Sequence, residues 1–248
     1  MESIDAYFVC GTPRTGSSLL LGLLGSTGVA GRPQAYFREP DEQLWAERWG
    51  LPGDWSYDDF VCAAIEAGRT PNGVFGAKLM WGTLDRLAAG LATVYPTLAG
   101  RDLDLLERAF GRVRFIWVYR EDTLAQAVSW VRAEQTNVWY IGGNGEIGDT
   151  GPSGRAPAYD TDRLAELTKT IEEHDAAWGD WFRHVSVEPF RLRYEDLAAD
   201  KVRATEEILA YLGLTLPVNG RISEMHARQA DPLNREWIER FRAGAGPR

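Results

Sequence analysis

Residues 7–18 read Tyr-Phe-Val-Cys-Gly-Thr-Pro-Arg-Thr-Gly-Ser-Ser and run straight into Leu19, Leu20 and Leu21. The apolar run up to Cys10 is typical of a buried strand, the glycines allow a sharp turn, and the small hydroxyl residues suit a helix start. The helix would point its free N–H groups and its positive dipole end at the loop, which favours a bound phosphate. The stretch therefore predicts an α/β fold with an anion site after its first strand.

The glycine frame of this loop matches a Walker A phosphate loop, but its charge lies elsewhere. Gly11 and Gly16 are separated by four residues, as in that motif. Ser17 stands where the Walker lysine would be, and the cation of the loop is Arg14, further upstream. The pattern therefore favours a phosphate ligand over standard kinase or GTPase chemistry. A tight strand–helix turn without any ligand is the alternative interpretation.

The composition is that of a globular, acidic protein. The 248 residues are 44% apolar and 25% charged, and the net charge is −9. We expect a single domain over residues 1–248. The negative charge argues against general nucleic-acid binding, so any basic site must be local. Two cysteines, no leader pattern and no apolar stretch long enough for a bilayer predict a cytoplasmic protein without stable membrane insertion.

Strands alternate with helices along the chain, which predicts a mainly parallel sheet flanked by helices. Segment 141–160 is rich in glycine and lacks an apolar period, so it is expected to be a long loop, either a lid or disordered. The predicted strands lie within 7–11, 69–81, 113–119 and 189–193. The predicted helices lie near 17–27, 41–49, 57–67, 83–95, 102–110, 122–134, 161–184, before 212–214, and at 233–242.

Two further cations are placed where a parallel sheet binds ligands. Lys78 lies in an apolar strand, where it costs free energy unless it snorkels or meets an anion. Arg120 follows strand 113–119 at its carboxyl end, the edge at which open α/β sheets bind ligands. Together with Arg14 they predict a ligand with several negative charges, such as a nucleotide with separate phosphate groups. A metal-dependent kinase fits less well, because this strand ends in Tyr119-Arg120 instead of an acid that would hold Mg²⁺.

Over nearly the whole chain these motifs resemble sulfotransferases that use 3′-phosphoadenosine 5′-phosphosulfate, and specifically the bacterial trehalose 2-sulfotransferase type. Each motif alone is weak to moderate, but their common order along the chain is specific. The matching motifs are Gly11–Ser18, Gly73–Trp81, Arg120 with Ser129, Leu192–Leu197 with Leu212–Leu214, Arg228–Asp231, and Glu236–Trp237. The resemblance implies the sulfotransferase fold and in-line transfer of a sulfuryl group to an acceptor hydroxyl.

The resemblance also implies how the donor is held. Arg120 and Ser129 match the pair that binds the 3′-phosphate, and Lys78 is expected near the bridging oxygen as a catalytic residue. No metal is expected, because a sulfuryl group carries less charge than a phosphoryl group, and the product would be adenosine 3′,5′-bisphosphate. The other residues expected at the donor are Pro13, Arg14, Thr15, Gly16, Ser17, Ser18, Arg228 and Gln229.

The acceptor segment departs from the family pattern at one position. In trehalose-type enzymes a glutamate follows the Pro-Gln pair and serves as general base, whereas this chain has Ala35 there. Glu39 is the candidate replacement, with Asp41 and Glu42 nearby, and solvated acids at a helix start are the alternative interpretation. The acceptor, a hydroxyl of a small molecule such as a carbohydrate or glycolipid precursor, is expected to contact Arg32, Pro33, Gln34, Tyr36, Phe37 and Arg38.

Two other functions stay open at this point. One is a P-loop nucleotide-dependent phosphotransferase, which Ser17 in the lysine position disfavours. The other is a non-catalytic relative that binds nucleotide and acts through a partner, and Ala35 is the observation in its favour. The resemblance also allows a homodimer.

Overall fold

The computed structural model describes residues 4–139, 141–142, 154–224, 226–227 and 232–244. Its main sheet has four parallel strands: β1 (Ala6–Gly11), β2 (Phe75–Met80), β3 (Val113–Tyr119) and β5 (Phe190–Arg193). The strand order is β2-β1-β3-β5, so β1 lies in the interior of the sheet. Two short strands, β4 (Ile141–Gly142) and β6 (His226–Ala227), form a separate antiparallel pair. The predicted parallel α/β sheet is confirmed.

The helices cover both faces of this sheet. They are α1 (Ser17–Ser26), α2 (Asp41–Arg48), α3 (Tyr57–Gly68), α4 (Thr83–Val94), α5 (Asp102–Phe110), α6 (Thr123–Thr136), α7 (Thr161–His184), α8 (Tyr194–Ala199), α9 (Lys201–Leu212) and α10 (Pro232–Gly244), with a 3₁₀ turn at Pro96–Leu98. Within the described residues, none of these helices combines the length and the apolar character needed to cross a membrane.

The predicted helix before Leu212 is divided into two helices. Asp200 has an extended backbone between α8 and α9, and its side-chain oxygen accepts a hydrogen bond from the Arg203 N–H at 2.9 Å. An aspartate at this position caps a new helix more favourably than it continues the previous one. Of the predicted loop 141–160, residues 143–153 lie outside the described residues, and 154–160 have no regular structure.

Side chains of the central strand alternate between two apolar layers. Phe8 and Cys10 pack in a layer with α3, α4, α5 and α7, and Tyr7 and Val9 pack in a layer with α1 and α9. All six residues of β1 are buried, as expected for a parallel strand covered on both faces. The most buried part of the molecule therefore supports the loop that follows β1.

The register of the sheet brings the carboxyl ends of its four strands to one edge. Gly11, the last residue of β1, lies beside Met80 of β2 and Val118 of β3. Because the strands are parallel, the residues that follow them emerge at the same edge, where α/β sheets bind ligands. These following residues are Thr12, Trp81, Arg120 and Tyr194.

Candidate active site

The loop between β1 and α1 has an unusual backbone. Arg14 and Gly16 both have left-handed conformations, with φ of 70° and 80°. A Cβ atom on Gly16 would lie 2.6 Å from the Tyr194 ring, so this position requires glycine. For a side chain such as Arg14 the left-handed conformation costs roughly 1–2 kcal/mol. Strain of this kind concentrates where a chain performs its function, which makes the loop the first candidate for the site.

The start of α1 presents unsatisfied donors to the loop. No described side chain caps this helix, so its first N–H groups are available to an anion. Ser17 is buried, and Ser18 is half-buried. The Thr15 hydroxyl instead points inward and donates to the Thr12 carbonyl oxygen at 3.0 Å, so it holds the loop in shape. Donors and a positive dipole end therefore meet at the predicted phosphate position.

Three arginines gather beside the loop. Arg14 donates through Nε to the Ser129 hydroxyl at 3.0 Å and through its guanidinium to the Trp139 carbonyl oxygen. Burial lowers the pKa of Arg14 to about 10, and the positive charges of Arg120 and Arg132 act in the same direction. Like charges held together in a poorly solvated place favour a bound anion. We call Arg14, Arg120, Arg132 and Ser129 the arginine cluster.

Tyr194 joins the loop to Arg120. The Arg120 guanidinium carbon lies 4.6 Å from the centroid of the Tyr194 ring, a distance suited to a cation–π contact. The same ring lies where a side chain on Gly16 would be. Arg120 also lies near Glu195, with 3.9 Å between Nε and Oε1. The sequence placed Tyr194 in a family motif, but its contact with Gly16 and Arg120 appears only in the structure.

Lys78 reaches the loop from β2. Its Nζ lies 3.4 Å from the Ser18 hydroxyl, at the start of α1. Its backbone N–H donates to the Gln34 carbonyl oxygen at 2.9 Å, and Gln34 forms an isolated parallel bridge with Ala77. The structure therefore brings the predicted catalytic lysine to the predicted donor loop and fastens the acceptor segment beside β2.

Much of the predicted acceptor segment is packed in the core. Tyr36 and Phe37 are buried, and both rings contact Phe75. Pro33 is buried, and Arg32 donates to the Ala67 carbonyl oxygen. The aromatic rings have a packing role in this structure, and acceptor contact by the segment stays a prediction.

The carboxylates after this segment pair away from the loop. Glu39 lies 2.5 Å from Arg86 of α4, and its side chain is 58% exposed. Asp41 is buried and pairs with Arg38 at 2.6 Å. Burial raises the pKa of Glu42, which accepts a hydrogen bond from the Tyr57 hydroxyl of α3. The predicted role of Glu39 as general base stays a prediction.

A carboxylate that the sequence did not suggest lies at the entry of the loop. The Thr12 hydroxyl donates to Asp175 Oδ1 at 3.3 Å, and Gln126 Nε2 donates to the Thr12 hydroxyl at 2.7 Å and to the Pro13 carbonyl oxygen at 2.8 Å. Burial raises the pKa of Asp175 to about 6, against the opposing effect of the Thr12 hydrogen bond. We call Asp175, Thr12 and Gln126 the carboxyl side of the loop.

Sequence patterns offer no clear signal for Asp175. It lies in a long amphipathic helix with many acidic residues, where an aspartate is normally solvated. Two predicted donor residues, Arg228 and Gln229, lie outside the described residues. Within the described ranges, no group of three or more His, Cys, Asp or Glu residues is arranged to hold a metal ion.

The sequence of this chain is similar to those of known sulfotransferases. A family model described as Stf0 sulphotransferase matches residues 6–244. Trehalose 2-sulfotransferase of Mycolicibacterium smegmatis is 30% identical, with 97% of this chain and 95% of the relative covered. Its counterpart from Mycobacterium tuberculosis is 29% identical, with 98% and 97% covered. A sulfotransferase structure from Alicyclobacillus acidocaldarius has a TM-score of 0.49 and 13% identity, with 98% of this chain and 93% of that chain covered.

The family match extends over almost the whole chain, from the first strand to the last helix. It confirms the resemblance inferred from the ordered motifs. The chain belongs to the Stf0 sulphotransferase family and is a sulfotransferase.

Proposed function

We propose that this protein transfers a sulfuryl group from 3′-phosphoadenosine 5′-phosphosulfate to a carbohydrate hydroxyl, by in-line displacement without a metal ion. One observation carries the proposal: three arginines meet beside a helix N-terminus, and burial with mutual repulsion lowers the Arg14 pKa to about 10. Binding a polyanion would relieve this repulsion, and a donor with phosphate groups at both ends of a ribose is such a ligand.

The chain offers separate groups for the two ends of the donor. The N–H groups at the start of α1, with Ser17 and Ser18, would hold the 5′-phosphosulfate. The 3′-phosphate would be held by Arg120, which directly follows β3, and by Ser129 of α6. The resemblance implies that Arg228 and Gln229 also contribute. The donor supplies, when bound, a sulfuryl group attached to a phosphate that can leave.

Positively charged side chains then do the electrostatic work of the transfer. Lys78 reaches the Ser18 hydroxyl and Arg14 lies within the loop, so both can stabilise negative charge that develops on the leaving oxygen. Groups that are already in position need not reorganise during the reaction. This is the role that Mg²⁺ has in the phosphoryl-transfer enzymes.

A carbohydrate acceptor is supported by the relatives, which are named trehalose 2-sulfotransferases. The partly buried ring of Trp81, directly after β2, would offer a sugar a stacking surface at the edge of the sheet. Glu39 is the general base predicted from the sequence. Its ion pair with Arg86 would have to open for this role.

A ligand-binding experiment tests the donor. Adenosine 3′,5′-bisphosphate should raise the melting temperature more than adenosine 5′-monophosphate, because only the former engages Arg120 through a 3′-phosphate. Arg120→Gln should abolish this difference. Arg191→Gln is the matched control, since Arg191 also stacks on an aromatic ring, at 4.9 Å from Trp117, but lies on β5 away from the loop. Stabilisation by ATP with Mg²⁺ alone would contradict the proposal.

A transfer experiment tests the reaction. Donor labelled with ³⁵S is incubated with trehalose and with a panel of other sugars, in the presence of EDTA. Label should appear in a sugar product, and the rate should not depend on the chelator. Donor binding without transfer to any sugar would overturn the carbohydrate assignment and favour the non-catalytic alternative.

A further inference from the structure

A hydroxyl that attacks sulfur must give up its proton, so a base close to the loop is required. The carboxylates near the predicted acceptor and donor segments differ in their partners. Glu39, Asp41 and Glu195 each lie beside an arginine. Asp175 instead faces the neutral Thr12 hydroxyl.

The Asp175 carboxylate lies where the loop begins. Its partner Thr12 directly follows Gly11, the last residue of β1, and the indole N–H of Trp178 donates to the Gly11 carbonyl oxygen at 3.1 Å. Trp178 also packs against Trp81, the residue after β2, with ring centroids 5.1 Å apart. This part of α7 therefore covers the sheet edge between the ends of β1 and β2.

Asp175 and Lys78 approach the loop from opposite faces of the sheet. Trp178 of α7 packs in the layer that contains Phe8 and Cys10. Lys78 alternates with Ala77 and Leu79 of that layer and reaches Ser18 of α1, on the other face. The carboxylate and the cation thus contact the loop from two sides, Asp175 at Thr12 and Lys78 at Ser18.

The hydrogen bonds around Asp175 orient one of its oxygens. The Gln126 amide donates to the Thr12 oxygen, so the hydroxyl hydrogen of Thr12 is directed to Asp175 Oδ1. The second oxygen, Oδ2, receives no hydrogen bond from the described residues. A carboxylate held by one oxygen, with the other available, has the geometry of a general base.

Resting on the proposed function, we infer that Asp175 is the general base that accepts the proton of the acceptor hydroxyl. As the acceptor oxygen bonds to sulfur, the bond from sulfur to the donor phosphate oxygen breaks and its electron pair leaves with the phosphate. The hydroxyl proton moves to Oδ2 of Asp175, which becomes a neutral carboxylic acid. The proton later passes to solvent, which restores the carboxylate.

The surroundings of Asp175 suit this proton transfer. Burial raises its pKa to about 6, and no charged side chain of the described residues contributes to that shift. The groups that face it are Thr12 from the loop and, through Thr12, Gln126 from α6. The neighbouring titratable residue on α7 is His174. Burial lowers its pKa, and the charge of Glu173 opposes this shift only in part. A base with a pKa near the working pH is the more effective one.

Replacing Asp175 by its neutral isostere tests the inference. In the ³⁵S transfer assay with trehalose, or with the panel sugar that accepts label, Asp175→Asn should lower kcat by about 10²–10⁴-fold. Its thermal shift with adenosine 3′,5′-bisphosphate should stay unchanged, which shows that the variant is folded and holds the donor product. Asp180→Asn is the matched control on α7, because Asp180 is exposed and pairs with Arg183.

The pH profile separates a catalytic from a structural role. For the wild type, kcat/KM should fall below about pH 6, and Thr12→Val should move this fall to higher pH because the Thr12 hydrogen bond lowers the Asp175 pKa. His174→Gln should keep the fall in place. The inference is overturned if His174→Gln removes the fall in kcat/KM at low pH. It is also overturned if Asp175→Asn keeps full turnover while Glu39→Gln loses turnover. If the wild type transfers label to no sugar, the proposed function fails first and this inference fails with it.

Discussion

The two sides of the loop between β1 and α1 are built in opposite ways. The arginine cluster gathers like charges, and burial together with neighbouring positive charge lowers the pKa of Arg14. The carboxyl side holds one acid among neutral partners, and burial raises the pKa of Asp175. Burial is the leading cause on both sides, and in each case it disfavours the charged form of the side chain.

This difference matches the two demands of sulfuryl transfer. Negative charge must be stabilised where the leaving oxygen departs, and a proton must be removed where the acceptor attacks. Under the proposed function, a cluster of half-buried cations would meet the first demand, and a poorly solvated carboxylate would meet the second. On this proposal, binding of donor and acceptor would offset the free energy that the protein loses by burying these charges.

Apart from the loss of turnover expected for Asp175→Asn, the largest expected effect comes from the cationic side. Arg14→Gln should lower kcat about 10²–10³-fold, because a preorganised donor to the leaving oxygen is lost. Steady-state transfer rates at saturating donor measure this effect. Arg183→Gln, which removes an exposed arginine from an ion pair on α7, should leave the rate unchanged. A rate for Arg14→Gln close to that of the wild type would remove Arg14 from the mechanism.

The second prediction concerns stability on the carboxyl side. Because the folded-state pKa of Asp175 is raised from 3.8 to about 6, the folded protein binds more protons than the unfolded chain between these values. Stability is therefore lost as the pH rises through about 6. Asp175→Asn removes this loss, so it should stabilise the fold at pH 8 by on the order of 1–3 kcal/mol.

Urea unfolding at pH 5 and pH 8 measures the second prediction. The gain for Asp175→Asn should be smaller at pH 5, where the wild-type carboxyl is largely protonated. A variant that is equally destabilised at both pH values would show that Asp175 has a structural role, and the contrast with the arginine cluster would then be wrong. A gain in stability together with a loss of turnover would support a catalytic role for Asp175, since active-site groups often oppose stability.

The smallest effect is expected for the link between the loop and Arg120. Tyr194→Leu removes a cation–π contact of about 0.5–2 kcal/mol, so affinity for adenosine 3′,5′-bisphosphate should fall by a few-fold up to about 30-fold. Tyr194→Phe keeps the ring over Arg120 and should bind as the wild type does. Isothermal titration calorimetry of the three proteins measures the effect. Equal affinities for all three would mean that the ring does not position Arg120.

Local patterns predicted most of the fold. The apolar runs at β1 and β3 and the 3.6-residue stripe of α7 were located from sequence because each element buries one continuous face or strand. The division between α8 and α9 was not predicted, since the preference of Asp200 to cap a helix competes with continuation of that helix. The resemblance to the family depended on motifs that are contiguous in the chain, and the family match supports it.

The residues predicted to bind the donor could be located from the sequence for the same reason. The loop, Lys78 and Arg120 follow or lie within strands, and parallel strands carry such residues to one edge of the sheet whatever the details of packing. The surroundings of the residues predicted to bind the acceptor could not be predicted in this way, because their contacts depend on how the helices pack. Tyr36 and Phe37, which the resemblance places at the acceptor, pack in an aromatic core, and their contact with an acceptor stays a prediction.

The chain alone therefore determines an α/β sulfotransferase and predicts an anion site at the loop after β1, because these features depend on spacing and strand order. Tertiary structure decides which acid faces that loop. Asp175 is 163 residues away from Thr12, and only the packing of α7 over the ends of β1 and β2 brings the two into hydrogen-bond contact. Burial then sets the proton affinity of Asp175, and burial is a property of the folded chain that no local pattern contains.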